Sequence, residues 1–161
     1  MDDLVVTQGL YYKKFKDVPF TGGVTGEWFG TIMNGRKEGP WVRYWSRGEL
    51  REKVSYKGGF EHGPYVAYHS NGQLWMKTTY KDQAMNGSFE RYYQNGQLFM
   101  KGTYKNGERD GLWVSYHRNG VLASTGTIRG GLREGPSVGF NRDGTVWDMV
   151  TGTFKNGEKI K

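Results

Sequence analysis

The sequence predicts an all-β protein: an elongated, single-layer antiparallel sheet of stacked β-hairpin repeats. The first observation is the composition, which combines 26 glycines and 16% aromatic residues with only 4 prolines among 161 residues. This balance favours strands and tight turns over helices. The second observation is that a block of about 24 residues recurs without interruption along the sequence. Tandem units of this kind stabilise one another by stacking.

The repeat begins at a glycine, which we number position 0 of each unit. Four units have the same length, and a fifth carries a two-residue insertion near Trp147 and Asp148. A degenerate half-unit that begins at Gly30 precedes them, and no linker interrupts the array. The predicted organisation is a single domain over residues 1–161, with an N-terminal cap and half-repeat at 1–38 and repeats at 39–62, 63–86, 87–110, 111–134 and 135–161.

Two turn signals occur in each unit. Position 9 is always glycine, preceded by Asn or Asp in four of the five units, and it separates two aromatic-rich runs. Asn-Gly and Asp-Gly in this setting indicate a hairpin. A second turn, such as Lys105–Glu108, closes the unit. A two-residue first turn would pair position 5 with position 12, whereas a three-residue loop with the glycine in a bulge would pair position 5 with position 11. We expect the second pairing.

Side chains alternate between the two faces of a strand, and this alternation predicts one packed face. Positions 3, 5, 11, 15 and 17 hold Val, Tyr, Leu, a small residue and Tyr, and are expected to pack. The other face is expected to expose the rings of positions 2, 6 and 12 between the lysines of position 14 and the hydroxyl groups of position 16. Trp and Tyr are typical binding anchors, although rings that merely cover the sheet would give the same pattern. The residues predicted to bind a partner are Trp41, Trp45, Tyr65, Trp75, Phe89, Tyr93, Phe99 and Trp113.

The formal net charge of +7 suggests an anionic partner. Position 18 holds a basic residue in every unit, once the insertion in the fifth is allowed for, which predicts a cationic row along one edge of the sheet. Such a row fits anionic lipid or an acidic protein, and the alternative is that it protects strand edges and maintains solubility. The row predicted to meet an anionic partner consists of Lys57, Lys81, Lys105, Arg129 and Lys155.

No group of residues predicts catalysis, and we expect no enzyme activity, no cofactor and no metal. Residues Gly135–Gly139 match G-x-S-x-G, but that motif needs a strand-to-helix turn, and Ser137 falls in a predicted strand. His69 and His117 lie two units apart, about 19 Å, which is too far to share an ion, so solvated histidines are expected. An open sheet also lacks an enclosed pocket that could desolvate a catalytic group.

The compartment stays open at this stage. The start of the sequence lacks the basic end and apolar core of a signal peptide, and no apolar run of about 20 residues predicts a membrane-spanning helix. The absence of cysteine fits both reducing and oxidising compartments. The sequence is therefore compatible with the cytoplasm or, with a leader removed, with the cell envelope.

Several motifs resemble a known repeat family. The stretches GPWVRYW (Gly39–Trp45), NGQL and KGTYKNGERDG (Lys101–Gly111) are similar to the bacterial variant of the MORN repeat, the membrane occupation and recognition nexus. The resemblance covers nearly all of Gly9–Gly157. It implies an elongated antiparallel sheet that serves as a protein–protein or lipid-contact module. Similar proteins are often described as antitoxin components of toxin–antitoxin systems, which implies a binding partner and not a reaction.

The expected function is a non-enzymatic repeat scaffold that binds a protein partner, with the antitoxin of a toxin–antitoxin pair as its most specific form. Two alternatives stay open. One is attachment to anionic membrane surfaces through the position-18 row. The other is glycan binding, because aromatic hairpins with glycine resemble cell-wall-binding repeats whose rings stack on sugars or choline. No specific nucleic-acid partner is expected, and the oligomeric state is left open.

Overall fold

The computed structural model describes residues 3–161 as β-strands and turns without a helix. Thirteen strands, β3 to β15, form one sheet in which each strand pairs antiparallel with its neighbours in sequence, and β1 pairs with β2 in a separate hairpin. The predicted all-β sheet of consecutive hairpins is confirmed. The strands are β1 Leu4–Thr7, β2 Leu10–Lys13, β3 Gly22–Val24, β4 Trp28–Met33, β5 Arg36–Tyr44, β6 Leu50–Lys57, β7 Phe60–Tyr68, β8 Leu74–Lys81, β9 Ala84–Tyr92, β10 Leu98–Lys105, β11 Glu108–Tyr116, β12 Leu122–Arg129, β13 Leu132–Gly139, β14 Gly152–Lys155 and β15 Glu158–Lys159.

Two kinds of turn alternate along the sheet. At the first, the position-9 glycine has a positive φ, as at Gly72 (83°), and position 5 pairs with position 11, as in Tyr68 with Leu74. This is the predicted three-residue loop with a glycine bulge. At the second, two successive residues have positive φ, as at Asn106 (52°) and Gly107 (87°), which is the backbone of a type I′ turn. Both turns match the twist of the strands that they join.

A bulge beside the first turn decides which side chains are packed. In the first unit Arg43 pairs with Glu52 and Trp41 with Val54, so Arg51 at position 12 is the extra residue. The same shift recurs in the next three units. Because one extra residue reverses the alternation of side chains, positions 2, 4, 13, 15 and 17 share a face. The predicted packed face was therefore wrong at positions 3, 5 and 11, which lie on the opposite side.

The packed side, which we call the ring face, contains a row of interlocked aromatic rings. Trp41 has no exposed surface, and Phe89 and Trp113 are only 5% and 7% exposed. The ring of Trp113 lies on Gly102 of the preceding unit so closely that a Cβ there would stand 2.4 Å from the indole. Tyr104 meets the same indole edge-to-face at 5.2 Å between ring centres. The expectation that Trp41, Phe89 and Trp113 are solvent-exposed was thus wrong, because the bulge turns them into the core.

The other side, which we call the lysine face, carries positions 1, 3, 5, 14 and 16. Position 14 pairs with position 3, as in Lys53 with Val42 and Lys101 with Glu90, so the lysines do not lie among the rings of positions 2, 6 and 12. Lys77 Nζ stands 2.9 Å from Glu90 Oε2, and the Tyr92 hydroxyl donates to the same carboxylate. The predicted interleaving of rings with lysines was therefore wrong. The position-14 and position-16 residues found on this face include Lys53, Ser55, Lys77, Thr79, Lys101, Thr103 and Thr127.

The hairpin of β1 and β2 covers one end of the ring face. Leu4 and Tyr11 pack against the buried cluster that contains Ile32 and Trp41. The amide of Tyr11 donates to the Gly35 carbonyl at 2.8 Å, which fixes the hairpin to a turn of the sheet. All other strands of residues 3–161 belong to the sheet itself. The same residues include no helix with the length and apolarity needed to cross a bilayer.

The contact between Trp113 and Gly102 gives a direct test of the ring packing. Gly102→Ala should destabilise the protein by about 1–3 kcal/mol, because the added methyl group overpacks the site and displaces the indole. Gly23→Ala is the matched control, since a Cβ at Gly23 meets no atom within 4 Å and its φ is not positive. Urea unfolding of both variants measures the difference. Equal midpoints for Gly102→Ala and the wild type would contradict the interlocking described above.

The turn at Asp82 and Gln83 is the type I′ turn with two non-glycine residues at positive φ, 50° and 72°. The equivalent second position is glycine in the other such turns, for example Gly107. Gln83→Gly should therefore stabilise the protein by about 0.5–1 kcal/mol, because it removes left-handed strain from a side chain with a Cβ. Gln94→Gly, at an exposed loop position without positive φ, should not stabilise it. Thermal and urea unfolding would reveal the contrast, and a destabilised Gln83→Gly would refute the strain.

Candidate partner-binding face

A second row of rings lies beside the core, near the first turns. His69 meets Trp75 at 6.4 Å between ring centres, and Tyr93 meets Phe99 at 4.9 Å. Trp75 and Phe99 are the extra residues of their bulges, which direct their side chains onto the ring face. Unlike the core rings, these side chains are only half-buried. Of the predicted partner-binding residues, Trp45, Trp75, Tyr93 and Phe99 thus keep accessible surface, as does the half-buried Tyr65.

A groove of about 420 Å³ opens on the ring face between the first and second units. Trp45, Tyr65 and Trp75 line it together with Ala67, which is 3% exposed. Ala67 is at position 4 of the second unit, and the same position is arginine in the first and third units. The short side chain of Ala67 therefore leaves the space that an arginine fills elsewhere. The structure brings these three predicted rings to one site, whereas Tyr93 and Phe99 lie one unit further along.

Arginines, and not lysines, supply the positive charge among these rings. The guanidinium of Arg51 stands 4.5 Å from the centre of the Trp45 ring. Arg91 stands 5.6 Å from Trp75 and 5.4 Å from Phe99. Sequence reasoning missed both arginines. Arg51 is at position 12 and Arg91 at position 4, and the bulge puts both positions on the ring face. A sequence analysis that included this bulge would have predicted the two arginines beside the rings.

Glu52 supplies the negative charge at the groove. Its carboxylate accepts a hydrogen bond from the Tyr65 hydroxyl at 3.0 Å and lies 3.6 Å from Arg43 and 3.8 Å from Arg51. Burial raises the pKa of Tyr65, and the charge and hydrogen bond of Glu52 raise it further. Tyr65 therefore stays protonated and acts as a donor. This arrangement fixes the side chains of the groove.

The side chains at position 6 join successive units. His69 Nε2 lies 3.1 Å from the Tyr92 carbonyl, and His117 Nε2 lies 2.8 Å from the Phe140 carbonyl. These half-buried histidines join repeats, so the expectation that they are solvated was wrong. Trp45 occupies the same position in the first unit, and its Nε1 is buried without a hydrogen-bond partner among residues 3–161.

The residues considered for catalysis and metal binding have structural contacts. Ser137 is 6% exposed, lies within β13 and donates its hydroxyl hydrogen to the Thr125 carbonyl at 3.2 Å. It is not raised on the strand-to-helix turn that a nucleophilic serine needs. Within the described part of the protein, no three His, Cys, Asp or Glu side chains are grouped so that they could hold a metal ion.

The basic residues of position 18 lie at strand ends beside the type I′ turns, as in Lys81, which pairs with Ala84, and Lys105, which pairs with Glu108. Each is exposed, and each hairpin contributes one at the same end. Neighbouring members of the row are separated by two strands, or about 9.6 Å. That the row meets an anionic partner stays a prediction. Its members are Lys57, Lys81, Lys105, Arg129 and Lys155.

Several solved structures match this protein. One of them is the crystal structure of the GtfA/B complex bound to UDP and GlcNAc, a chain with 12% sequence identity and a TM-score of 0.26. The match covers 83% of the present chain but only 24% of the chain in that structure. The present chain therefore spans about a quarter of the length of the matched chain. A similarity at this level supports no conclusion about function. No curated protein sequence matches this one significantly.

Comparison with protein families gives a specific result. The profile described as the MORN repeat variant matches four consecutive segments, which together cover more than half of the sequence: residues 37–57, 61–82, 85–106 and 109–128. Repeats of this kind form non-catalytic modules that generally contact proteins or lipids. The matched segments coincide with the hairpins whose rings interlock on the ring face. The chain belongs to the MORN repeat variant family.

Proposed function

We propose that the protein is a non-enzymatic scaffold that binds a protein partner through the ring face, anchored in the groove between the first and second units. The observation that carries this proposal is the pair of half-buried indoles, Trp45 and Trp75, beside a floor that Ala67 leaves open. Tryptophan, tyrosine and arginine are the residues that most often dominate binding energy at protein interfaces. All three types line this groove.

Stacking of Arg51 on the Trp45 indole holds the ring in place before the partner arrives. An apolar side chain of the partner would fill the groove between Trp45 and Trp75. Such side chains are found in any protein segment, which favours a protein over a small ion.

The most specific form of the proposal is that the partner is a toxin and this protein its antitoxin. This form rests on the family resemblance and not on the groove. The net charge of +7 and the arginines of the ring face favour a partner with acidic groups near its binding surface. The glycan-binding alternative stays a prediction that no single feature of the groove favours.

Substitution of the two indoles tests the proposal. Affinity capture from a native host, followed by mass spectrometry, should recover a partner with the wild type and lose it with the Trp45→Ala, Trp75→Ala double variant. Each indole should contribute at least about 30-fold in Kd, as expected for a hot-spot tryptophan. Leu112→Ala is the control, because Leu112 is an apolar side chain 62% exposed on the lysine face. Urea unfolding verifies that all variants are folded.

The outcomes separate clearly. Loss of the partner in the double variant and retention in Leu112→Ala would support the groove. Equal recovery by all three proteins would contradict it.

A second candidate function, attachment to anionic membranes, is favoured by the exposed basic row of position 18. The row should produce flotation with phosphatidylserine vesicles at low salt and lose it at high salt, because exposed charges are screened. The Lys81→Glu, Lys105→Glu variant should float less, whereas the same change at Arg118 and Arg142, exposed at the first turns and away from the row, is the charge-matched control. Absence of flotation even at low salt would exclude this candidate.

A further inference from the structure

A second recess lies on the ring face between the fourth and fifth units, where the row of rings is interrupted. Earlier units hold a ring at both position 2 and position 17, as Phe89 and Tyr104 do. Here Ile128 replaces the ring of position 17, and Ser137, which pairs with Gly126, replaces that of position 2. The missing rings leave a recess of about 180 Å³.

Two arginines border this recess. The guanidinium of Arg109 stands 4.4 Å from the centre of the Trp113 ring, and that of Arg133 stands 5.1 Å from the Phe154 ring. Stacking on a ring orients a guanidinium and leaves its N–H edge available for other groups. The two arginines occupy the same repeat position in consecutive units, which is Glu61 in the first unit.

Neither arginine is neutralised by a carboxylate. Among residues 3–161 neither forms an ion pair, and no Asp or Glu lines the recess. The contacts of Arg109 with polar atoms are long, 3.5 Å to the Tyr104 hydroxyl and 4.0 Å to the Met100 sulfur. Two half-buried cations therefore face a recess that contains no counter-charge.

Other donors point to the same kind of ligand. The hydroxyl groups of Ser115 and Ser124 line the recess and lie 2.7 Å apart, so one of them donates to the other and the second keeps a hydrogen to donate. The Trp113 ring provides an apolar wall beside them. A recess lined by guanidinium and hydroxyl donors, without a carboxylate, is suited to an oxyanion.

We propose that this recess binds a carboxylate carried by the protein partner. The inference rests on the proposed function, because it assigns the ligand of a second anchor on the same face. A carboxylate is planar and accepts paired hydrogen bonds from a guanidinium, and Ile128 and Trp113 provide apolar surface for the methylene groups that precede it. An acidic residue and the last residue of a polypeptide carry the same group. The volume of the recess admits either and excludes a nucleotide.

Small probes test the recess without the partner. The side-chain carboxylate is represented by N-acetylglutamate N-methylamide, the C-terminal carboxylate by N-acetylglycine, and the neutral control is N-acetylglutamine N-methylamide. Two-dimensional ¹H–¹⁵N NMR follows the Trp113 indole resonance, which is assigned by its loss in Trp113→Phe. The resonance should shift in a saturable manner with one or both carboxylates and not with the neutral amide. The probe that binds tighter identifies the source.

Variants of the protein connect the shift to the arginines. Arg109→Gln and Arg133→Gln should each weaken probe binding about tenfold, because each removes a charge-assisted hydrogen bond. Arg142→Gln, at an exposed turn outside the recess, should bind as the wild type does. Ser137→Trp should abolish binding with both arginines present, because it places an indole against Gly126 as Trp113 lies against Gly102. Its unfolding midpoint should not fall.

Each result bears on the inference separately from the proposed function. Three results would overturn the carboxylate site. In the first, the Trp113 resonance shifts with neither carboxylate, and in the second it shifts equally with the neutral amide. In the third, it shifts in the Arg109→Gln, Arg133→Gln double variant as much as in the wild type. If the partner is still captured through the Trp45 groove in those cases, the proposed function stands. If carboxylates bind but no partner depends on Trp45 and Trp75, the proposed function fails and the recess remains a carboxylate site.

Discussion

The structure depends on the contact between the position-2 ring of each unit and the small position-15 residue of the hairpin before it. The sizes on the two sides are complementary: the largest rings, Trp41 and Trp113, lie on Gly30 and Gly102. Smaller rings face larger partners, since Tyr65 pairs with Val54 and Phe89 with Thr78. A unit cannot bury its own ring, so stability arises from the interfaces between units. This explains how a single layer of strands holds together beyond the end that the N-terminal hairpin covers.

Both recesses arise where one unit departs from the residue that its neighbours hold at the same position. In the groove near Trp45, the departure is Ala67 at a position that its neighbours fill with arginine. In the recess near Trp113, it is Ser137 opposite Gly126, a small residue against a small residue. In a repeat array, the regular positions maintain the sheet, and the irregular ones leave space for a ligand.

The fold could be predicted from the sequence because its determinants are local and repeated. The glycine at position 9 and the Asn-Gly turns fixed the hairpins and the pairing of position 5 with position 11. The faces could not be predicted in the same way, because no residue type marks the extra residue at position 12. That single bulge moved Trp41 and Trp113 into the core and Lys77 to the other side. The packing of the N-terminal hairpin on the ring face could not be predicted either, because Leu4 and Tyr11 lie far in sequence from the rings that they cover.

The two ends of the ring face differ in charge, which gives the array a direction. At the N-terminal end, the Lys37 ammonium lies 4.6–4.9 Å from the ring centres of Trp28, Trp41 and Tyr56. Burial lowers the pKa of Lys37, and the negative charges of Glu61 and Glu52 act in the opposite direction and raise it. Acidic groups thus accompany the cation there, whereas Arg109 and Arg133 have none. The groove and the recess are three units apart, or about 29 Å, the span of roughly nine residues in an extended strand. A partner that fills both must present an apolar anchor and a carboxylate at that separation, and the unequal ends allow it to lie in only one orientation.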